Sequence, residues 1–440
     1  MGGIHHYFDL PSDWKSLPQC FLIRGWCYAD DRSPIRGIRL LTHDASINGE
    51  IGKHRPDVKL ALRDAPDDFT GFEIKGVLSS GRHNLQIEVQ ISNGNWQRIF
   101  AHSVKIQRRW LPLWLGGGNW VELTFHQFSC QRQHPPRSLS VERFPTIALD
   151  PARRPKLSIV TPSLQQAHFL TETLRGVLDH QPITIEYIVQ DGGSSDHSVE
   201  IIRNFAAEDE PHRKAVESST NTPSSPTPTT RRITAWASEP DAGQADAIVR
   251  GFAKTSGNPN DLMAWINSDD FYLPGALAFV ANYFAQHPDV DVIYGHRILV
   301  DESSQEIGRW FLPPHDDEVL KRYDFVPQET MFWRRRIWNK AGGLDASLKF
   351  AMDWDLLLRF QAAGARIVRV PYFLACFRVH PAQKTSAQME TIGQREIDFL
   401  RARTFAREVP ATEIEHDPVL LRYLRRSAWI NFLWKLGIRQ

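Results

Sequence analysis

Two adjacent carboxylates, Asp269 and Asp270, follow the apolar run at 262–266. The run predicts a buried strand, and open α/β sheets bind ligands outside the carboxyl ends of their strands. Side-by-side carboxylates repel each other unless a cation lies near them, and a hard divalent cation that also binds phosphate oxygens suits this pair. The alternative is a polar turn or a cap of the next helix, which Pro274 is expected to open at its first position.

The elements that must position these acids alternate between strands and helices. The patterns predict a strand at 157–160, a helix at 169–178, a strand at 185–189, a helix at 199–205, a strand at 235–239 and a helix at 246–253. This alternation indicates a parallel, doubly wound sheet. Residues 218–230, rich in Ser, Thr and Pro, cannot bury enough apolar surface to order themselves and are predicted to form a disordered surface loop.

The first quarter of the chain has a period of two residues instead. Apolar residues alternate with polar ones before the hairpin turn Asn93-Gly94, and several short strands with regular turns predict a small β-sandwich. Stretches at 25–26, 55–58 and 71–73 resemble an immunoglobulin-like module, for which we expect a packing or docking role. The following region contains three tryptophans, three consecutive glycines and several prolines, a composition typical of a linker that lies on a surface.

Composition and charge describe an ordinary globular protein. The 440 residues are 42% hydrophobic and 23% charged, and a formal net charge of +1 gives no global field that would favour nucleic acid. The four cysteines lack the paired spacing of metal ligands, and Cys20 and Cys27 are interpreted as core residues. We find no apolar core of a signal peptide and no run of the ~20 apolar residues that span a bilayer. The sequence therefore predicts a cytoplasmic, reduced protein.

Seven short motifs follow one another between Lys156 and Ser386. They are Ser-Ile-Val-Thr-Pro-Ser at 158–163, Gln-Asp-Gly-Gly-Ser-Ser-Asp at 190–196, Ser-Glu-Pro-Asp-Ala-Gly-Gln-Ala-Asp-Ala at 238–247, Asn-Ser-Asp-Asp at 267–270, Gly-Gly-Leu-Asp at 342–345, Ala-Met-Asp-Trp-Asp-Leu at 351–356 and Arg-Val-His at 378–380. In this order they resemble the family-2 glycosyltransferases, inverting enzymes of the GT-A fold that use nucleotide-diphospho-sugar donors.

The resemblance and the patterns together predict an α/β fold class. It consists of a GT-A type doubly wound, mostly parallel sheet, preceded by an all-β immunoglobulin-like sandwich and followed by a short helical tail. The predicted domains are a β-sandwich at 1–107, a linker at 108–155, a GT-A glycosyltransferase domain at 156–395 and a C-terminal helical tail at 396–440.

The resemblance also implies a set of donor-binding residues at the strand ends. Thr161, Pro162, Ser163 and Asp191 are expected to hold the nucleoside, for which uridine is the expected base. The alternative for Asp191 is an Asx-turn that closes the glycine turn after it.

Two further donor-facing residues are expected at the start of the helix after the third motif. Gln244 and Asp246 are predicted to face the donor, although amides and acids near a helix N-terminus are also common caps. Arg250, one turn later, either reaches a phosphate or pairs with Asp246.

A divalent metal, Mn²⁺ or Mg²⁺, is implied for the acidic turn. By resemblance, Asp270 and His380 are its ligands, and Asp269 touches the ribose or a metal-bound water. Such an ion stabilises the charge that grows on the leaving diphosphate. The alternative for His380 is a histidine satisfied within the core or at the surface.

The resemblance places the general base of an inverting reaction at Asp353, where Met352 replaces the glutamate that usually precedes it. Asp355 is the rival candidate, but it lies four residues before Arg359, the spacing of a helical ion pair. We therefore assign Asp355 to that pair and Asp353 to the base. In the alternative, both acids only cap their helix.

The predicted function is sugar transfer, of the hexosyl- or N-acetylhexosaminyl-transferase type, to a glycan or lipid-linked glycan acceptor in surface polysaccharide synthesis. The alternatives are a nucleotidyltransferase that makes sugar nucleotides and a non-catalytic glycan-binding scaffold. No nucleic-acid partner is expected. The basic and aromatic tail either lies peripherally on the inner face of the membrane or packs on the preceding domain.

Overall fold

The structure is a computed structural model of the chain. It describes residues 3–11, 14–18, 20–43, 45–53, 55, 58–59, 62, 65–66, 69–79, 81–92, 94–107, 132–141, 143–145, 154–179, 183–207, 233–380, 392–410, 413–414 and 416–435. The predicted loop at 218–230 and the predicted linker up to residue 131 lie outside these residues. The chain divides into two compact units, the first within Met1–Gly116 and including Arg132–Pro135, the second including Pro136–Gln440.

The first unit is built of strands. They are β1 (Ile4–Leu10), β2 (Ser16–Pro18), β3 (Cys20–Ala29), β4 (Gly37–Leu41), β5 (Ser46–Lys53), β6 (Gly71–Val77), β7 (Gly81–Gln90) and β8 (Trp96–Gln107). Their hydrogen-bonded order is β1-β3-β6-β5-β4-β7-β8-β2, and β5 pairs with β4 through its first half and with β6 through its second. Side chains from both halves of this series, such as Ile23 and Ile87, share one buried core. The immunoglobulin-like assignment of this β-rich unit stays a prediction.

The second unit contains a nine-stranded sheet. Its strands are β9 (Leu157–Ser163), β10 (Ile185–Asp191), β11 (Ala235–Ser238), β12 (Leu262–Trp265), β13 (Phe271–Tyr272), β14 (Val292–Val300), β15 (Glu306–Trp310), β16 (Phe332–Arg334) and β17 (Ile367–Arg378). The main order is β11-β10-β9-β12-β16-β14-β17-β13, with β15 paired to β14. The strands from β11 to β12 are all parallel, whereas β16 is antiparallel to both of its neighbours.

Helices connect these strands and cover the sheet. They are α1 (Ala167–Leu178), α2 (Ser198–Ala207), α3 (Gln244–Ala253), α4 (Ala276–Gln286), α5 (Asp317–Leu320), α6 (Arg335–Ala341), α7 (Met352–Ala362), α8 (Gln394–Phe405) and α9 (Pro418–Lys435), with a 3₁₀ turn at Gln328–Thr330. The α/β fold class is confirmed, with a β-rich region before the sheet and helices after it.

The parallel strands bring the ends of the predicted motifs to one edge of the sheet. Every residue of β9 is buried, as expected for a central strand with helices on both faces. Asp191 at the end of β10 lies in register with Ser163 at the end of β9, and β12 runs parallel to β9 on its other side. The carboxyl ends of these three strands therefore meet where the acidic turn begins.

The prediction that Pro274 opens a helix at its first position is wrong. Gly275 adopts the left-handed conformation, with φ of 84°, and α4 begins only after it. A left-handed residue cannot belong to a right-handed helix, so the helix starts two residues later than its proline suggested. Between the acids and Pro274 lies β13, which pairs with β17 and ties the turn to the sheet.

The C-terminal helices pack on the second unit, the second of the two alternatives predicted for the tail. In α9, the Tyr423 ring lies 4.6 Å from Phe325, and Ser427 Oγ donates a hydrogen bond of 2.5 Å to the Phe311 carbonyl. Trp429 on the same helix is 44% exposed. Among the described residues, no helix has the length and apolar character needed to cross a bilayer.

Candidate active site

A cavity of about 790 Å³ lies at the carboxyl edge of the sheet. One part of its wall comes from the turns after β9 and β12 and from the start of α3. The other part comes from residues around 323–329, from the loop and first turn at 346–354, and from α8. The volume falls within the range of small-molecule sites. Both predicted groups of acids, at Asp269-Asp270 and at Asp353, line this single cavity.

The Asp270 carboxylate is the most strongly perturbed group of the acidic turn. It is 1% exposed. Burial raises its pKa well above the ordinary value, and the negative charges of Asp269 and Glu329 raise it further. The backbone N–H of Arg378 donates to Asp270 Oδ1 at 2.9 Å, and Thr173 Oγ1 donates to the Asp270 carbonyl at 2.7 Å. The turn is thus held in place, while its carboxyl remains short of compensating positive charge.

His380 contacts the acidic turn through Asp269. His380 Nε2 lies 3.0 Å from Asp269 Oδ2, and the ring packs against Phe169 with centroids 4.9 Å apart. Arg378 Nε also donates to the Asp269 carbonyl at 2.9 Å. The predicted metal ligand His380 therefore contacts Asp269, and it is absent from the described cavity lining, which includes Asp270.

The donor chemistry of this turn fits a hard divalent cation. Carboxylate oxygens and an imidazole are suitable ligands, and a cation would relieve the repulsion that raises the pKa of Asp270. Within the described parts of the chain, no group of three or more His, Cys, Asp or Glu side chains is arranged as a complete metal site. Oxygen atoms of a bound diphosphate would have to complete the coordination.

A buried ion pair accounts for the second negative charge near Asp270. Glu329 accepts two hydrogen bonds from Arg297, Nε to Oε1 at 2.6 Å and Nη2 to Oε2 at 2.7 Å. The Arg297 guanidinium lies between the rings of Trp310 and Phe377, 4.2 and 4.3 Å from their centroids. This bidentate, aromatic-flanked geometry stabilises an ion pair removed from water.

A chain of side-chain amides links α3 to the acidic turn. Gln244 Nε2 donates to Asn267 Oδ1 at 2.6 Å, and Gln328 Nε2 donates to the Trp265 carbonyl at 2.9 Å. A longer contact of 3.4 Å joins Asn267 Nδ2 to Gln328 Oε1. Gln244 also lines the cavity, and its contact with a donor stays a prediction.

The predicted nucleoside-binding residues divide into two groups. Pro162 and Ser163 line the cavity, and the buried Ser163 Oγ has no hydrogen-bond partner among the described residues. Thr161 is fully buried, its hydroxyl 2.9 Å from the Tyr187 hydroxyl, and does not belong to the described lining. Ser163 Oγ is therefore a buried polar atom with unused hydrogen-bonding capacity, whereas the Thr161 hydroxyl is used within the protein.

Asp191 is also used within the protein. Its carboxylate accepts hydrogen bonds from the N–H groups of Gly193 and Ser194, at 3.1 and 2.8 Å. The hydroxyls of Ser194 and Ser238 donate to it at 2.6 and 2.7 Å. This is the Asx-turn arrangement left open by the sequence, and Asp191 is absent from the described cavity lining.

Asp246 is held by groups of its own helix and turn. It accepts the Ala242 N–H at 3.0 Å and pairs with Arg250 at 2.7 Å, the helical pairing predicted as one alternative for Arg250. The Ala242 hydrogen bond lowers the pKa of Asp246, although burial opposes it, and Arg250 lowers it further. Asp246 does not line the described cavity.

The two acids of α7 have different surroundings. Asp353 lines the cavity, and its Oδ1 accepts the Trp354 N–H at 2.9 Å. Asp355 is fully buried and pairs with Arg359, Nη2 to Oδ2 at 2.7 Å, as predicted from their spacing. Arg403 donates to its other oxygen at 2.5 Å. Asp353, not Asp355, is therefore the acid that a substrate in the cavity could reach.

Asp324 is a further acid of the cavity wall, and no sequence motif predicted it. Its Oδ1 is buried without a hydrogen-bond partner among the described residues. Burial raises its pKa well above the ordinary value, and the Asp353 charge raises it further. An acid between the apolar or aromatic neighbours Tyr323 and Phe325 was the available signal, but such a residue belongs to no motif.

The sequence also matches a known family over part of its length. Residues 158–224 match the family described as Glycosyl transferase family 2. The O-antigen biosynthesis protein RfbC of Myxococcus xanthus is 27% identical over 218 residues, which are 49% of this chain and 15% of that protein. A PGL/p-HBAD biosynthesis glycosyltransferase of Mycobacterium bovis is 24% identical over 216 residues, 49% of this chain and 73% of that protein. These matches support the predicted family-2 glycosyltransferase.

Solved structures of similar shape include two bacterial proteins. S. aureus TarS (residues 1–349) has a TM-score of 0.40 and 14% identity, covering 64% of this chain and 72% of that one. Glucosyl-3-phosphoglycerate synthase from Mycobacterium tuberculosis, solved with Mn²⁺, uridine diphosphate and glucosyl-3-phosphoglycerate, has a TM-score of 0.36 and 15% identity. It covers 62% of this chain and 89% of that one.

The raised pKa of Asp324 predicts a stability effect with a defined sign. A carboxyl whose pKa is raised in the folded state contributes most stability at low pH and loses that contribution as pH rises through the folded-state pKa. Asp324→Asn is therefore expected to increase the free energy of unfolding by on the order of 1 kcal/mol near neutral pH, with less gain in acid. Thermal denaturation over a range of pH measures this difference.

Asp417→Asn is a matched control of opposite sign. Although burial alone would raise it, the pKa of Asp417 is lowered by hydrogen bonds from Arg322, at 2.7 Å, and from backbone N–H groups. This substitution should reduce stability at neutral pH and lose its effect in acid. A destabilised Asp324→Asn protein at neutral pH would contradict our account of the Asp324 environment.

Proposed function

We propose that this chain is an inverting glycosyltransferase that moves a sugar from a uridine-linked nucleotide-diphospho-sugar to a hydroxyl of a glycan or lipid-linked glycan. The observation that carries the proposal is the single cavity whose wall contains both the acidic turn Asp269-Asp270 and the accessible acid Asp353. The family match over 158–224 and the two relatives support surface polysaccharide or glycolipid synthesis as its setting.

The donor is proposed to occupy the end of the cavity formed by the strand termini. Pro162, Ser163 and Gln244 line that end, and the buried Ser163 Oγ has no hydrogen-bond partner among the described residues. Thr161 and Asp191 are proposed to act indirectly, because their side chains hold the turns that bear the contacting residues. Asp246 is proposed to fix the turn before α3 through its bond to Ala242.

Asp270 and His380 are proposed to hold a divalent metal, Mn²⁺ or Mg²⁺, with Asp269 beside them. When bound, this ion supplies positive charge that stabilises the departing diphosphate. The Asp269 side chain contacts His380, and Arg378 donates to both the Asp269 carbonyl and the Asp270 carboxylate. The protein thus fixes the position of the acids by hydrogen bonds of its own.

Asp353 is proposed to be the general base. As the acceptor oxygen attacks the anomeric carbon, the bond from that carbon to the diphosphate oxygen breaks on the opposite face, and the hydroxyl proton passes to the Asp353 carboxylate. Attack opposite the leaving group inverts the anomeric configuration. The Trp354 N–H donates to Asp353 Oδ1 at 2.9 Å, which helps to orient the carboxylate.

The two alternative functions predict different features. A nucleotidyltransferase would need a glycine- and basic-rich loop after β9 to grip a triphosphate, and the turn there reads Thr-Pro-Ser-Leu-Gln-Gln at 161–166. A scaffold without turnover would have no need of Asp353 in the cavity wall. A cytoplasmic setting with peripheral membrane contact through the tail is part of the proposal, for which the exposed Trp429 is the available support.

A panel of nucleotide sugars tests the proposed function. The protein is incubated with each donor in the presence of Mn²⁺ or Mg²⁺, with and without metal chelation, and release of the nucleoside diphosphate is measured. Metal-dependent release from at least one nucleotide-diphospho-sugar is expected. Pyrophosphate release from a sugar phosphate and a nucleoside triphosphate would favour the nucleotidyltransferase instead.

Asp270→Ala is expected to abolish metal-dependent donor binding while leaving the fold intact, because the carboxylate serves an ion better than it serves packing. Calorimetric titration of the donor, with and without metal, measures the effect. Circular dichroism checks the fold. An unchanged donor affinity in the presence of metal would remove Asp270 from the metal site.

The neighbouring acids of α7 are expected to have opposite phenotypes. Asp353→Asn cannot accept the proton, so turnover should fall by about 10²–10⁴-fold while donor affinity barely changes. Asp355→Asn breaks a buried pair with Arg359 and Arg403, so it should cost about 3 kcal/mol of stability and nearly preserve turnover. Turnover, donor affinity and thermal stability of both variants are compared. Inactivation by Asp355→Asn alone would move the base assignment to Asp355.

A further inference from the structure

The helix α8 joins the wall of the cavity through a regular stripe of side chains. Glu396, Leu400 and Arg403 follow the spacing i, i+4, i+7 and therefore lie on one face of the helix. Leu400 is fully buried, Arg403 donates to Asp355 of α7, and Glu396 reaches the loop before α7. The predicted domain boundary at residue 396 thus lies within α8, and α8 contacts α7, the helix that contains Asp353.

The N-cap residue of α7 provides no side-chain cap. This residue is Ala351, whose methyl group cannot accept a hydrogen bond from the free N–H groups of the first turn. The preceding residues are also unable to cap it in the usual way, since Lys349 and Phe350 carry no acceptor. The backbone N–H groups at 349–351, which lie just before the helix, are bound by another group.

Glu396 supplies that group from 45 residues further along the chain. Its Oε1 accepts the Lys349 N–H at 2.8 Å, and its Oε2 accepts the N–H groups of Phe350 and Ala351, both at 2.8 Å. Three successive amides thus converge on one carboxylate. Hydrogen bonds to an ionised acceptor are stronger than neutral ones, and a negative charge at a helix N-terminus also interacts favourably with the helix dipole.

The helix α8, which carries Glu396, is also anchored near its C-terminal end. This anchor holds the Glu396 carboxylate in place. Arg403 Nη2 lies 2.5 Å from Asp355 Oδ1, and the Arg401 guanidinium lies 5.9 Å from the centre of the Trp354 ring. Ile397 and Arg401 form part of the cavity wall. The helix therefore contacts α7 near Asp353 from both sides in sequence, before it at 349–351 and after it at Asp355.

We propose that Glu396 is a positioning residue for the general base, an inference that rests on the proposed role of Asp353. By binding the amides of 349–351, Glu396 fixes the start of α7 and with it the place at which Asp353 presents its carboxylate to the cavity. Asp353 follows the last of these amides by two residues, so a shift of the loop moves the base directly. Misplacement of a reacting group by about 1 Å can reduce a rate by about 10²-fold.

Glu396→Ala tests this role, with Glu396→Gln as the conservative variant. The alanine variant should lower the turnover number for metal-dependent donor hydrolysis by about 10–100-fold with donor affinity unchanged. Glutamine keeps one acceptor oxygen and should restore turnover to within a few-fold of the parent. Hydrogen exchange of the amides at 349–351 should accelerate in the alanine variant, a readout that needs no activity.

Asp291→Asn serves as the control for a simple loss of stability, because it removes an acceptor of Arg336 and of the Arg366 N–H without touching α7, α8 or the amides at 349–351. It should lower the melting temperature at least as much as Glu396→Ala while keeping turnover. Faster hydrogen exchange at 349–351 with unchanged turnover in Glu396→Ala would overturn the positioning role. Unchanged hydrogen exchange would show that Glu396 does not hold these amides. A parent protein that hydrolyses no nucleotide sugar, together with accelerated exchange in the variant, would instead reject the proposed function.

Discussion

The second unit is organised around one carboxylate that is buried among other negative charges. Asp270 is almost inaccessible at the edge of the sheet, and the charges of Asp269 and Glu329 act on it. Removing such a group from water is unfavourable unless donors or a cation compensate. Arg378 provides part of that compensation. Its backbone N–H donates to the Asp270 carboxylate, and its guanidinium donates to the backbone carbonyl of Asp269. The excess of negative charge that remains would favour a cation as ligand. The buried carboxylate that is unfavourable for folding would therefore be favourable for cation binding.

The sequence predicted the features that depend on neighbours along the chain. The alternation of strands and helices is visible because buried faces repeat with the period of each element, and the sheet was predicted from it. The ion pair between Asp355 and Arg359 followed from a spacing of four residues and is present. The predicted start of α4 was wrong because Gly275 takes a left-handed conformation. This overrides the preference of Pro274 for the first position of a helix.

Features that depend on distant segments were not predicted. Asp191 is held partly by Ser238 on a neighbouring strand, and no local pattern reveals which of its oxygens remain free. Asp324 belongs to no motif and becomes notable only because the fold brings it near Asp353. Glu396 reads as an ordinary polar residue of an amphipathic helix until its three amide partners are known. Periodicity reports which face of an element is buried, but not which other segment covers it.

The distance along the chain between Glu396 and its amides has a consequence for biosynthesis. A ribosome releases every strand of the sheet before it releases α8, and chains begin to fold from the N-terminus during synthesis. The acidic turn can therefore be assembled on a nascent chain, whereas the amides at 349–351, just before α7, must wait for a carboxylate that is made later. A nascent polypeptide that ends at residue 395 has all the described strands of the sheet but lacks the acceptor of these amides. On the proposed function, the proposed donor site is therefore synthesised before the residue that positions the proposed base.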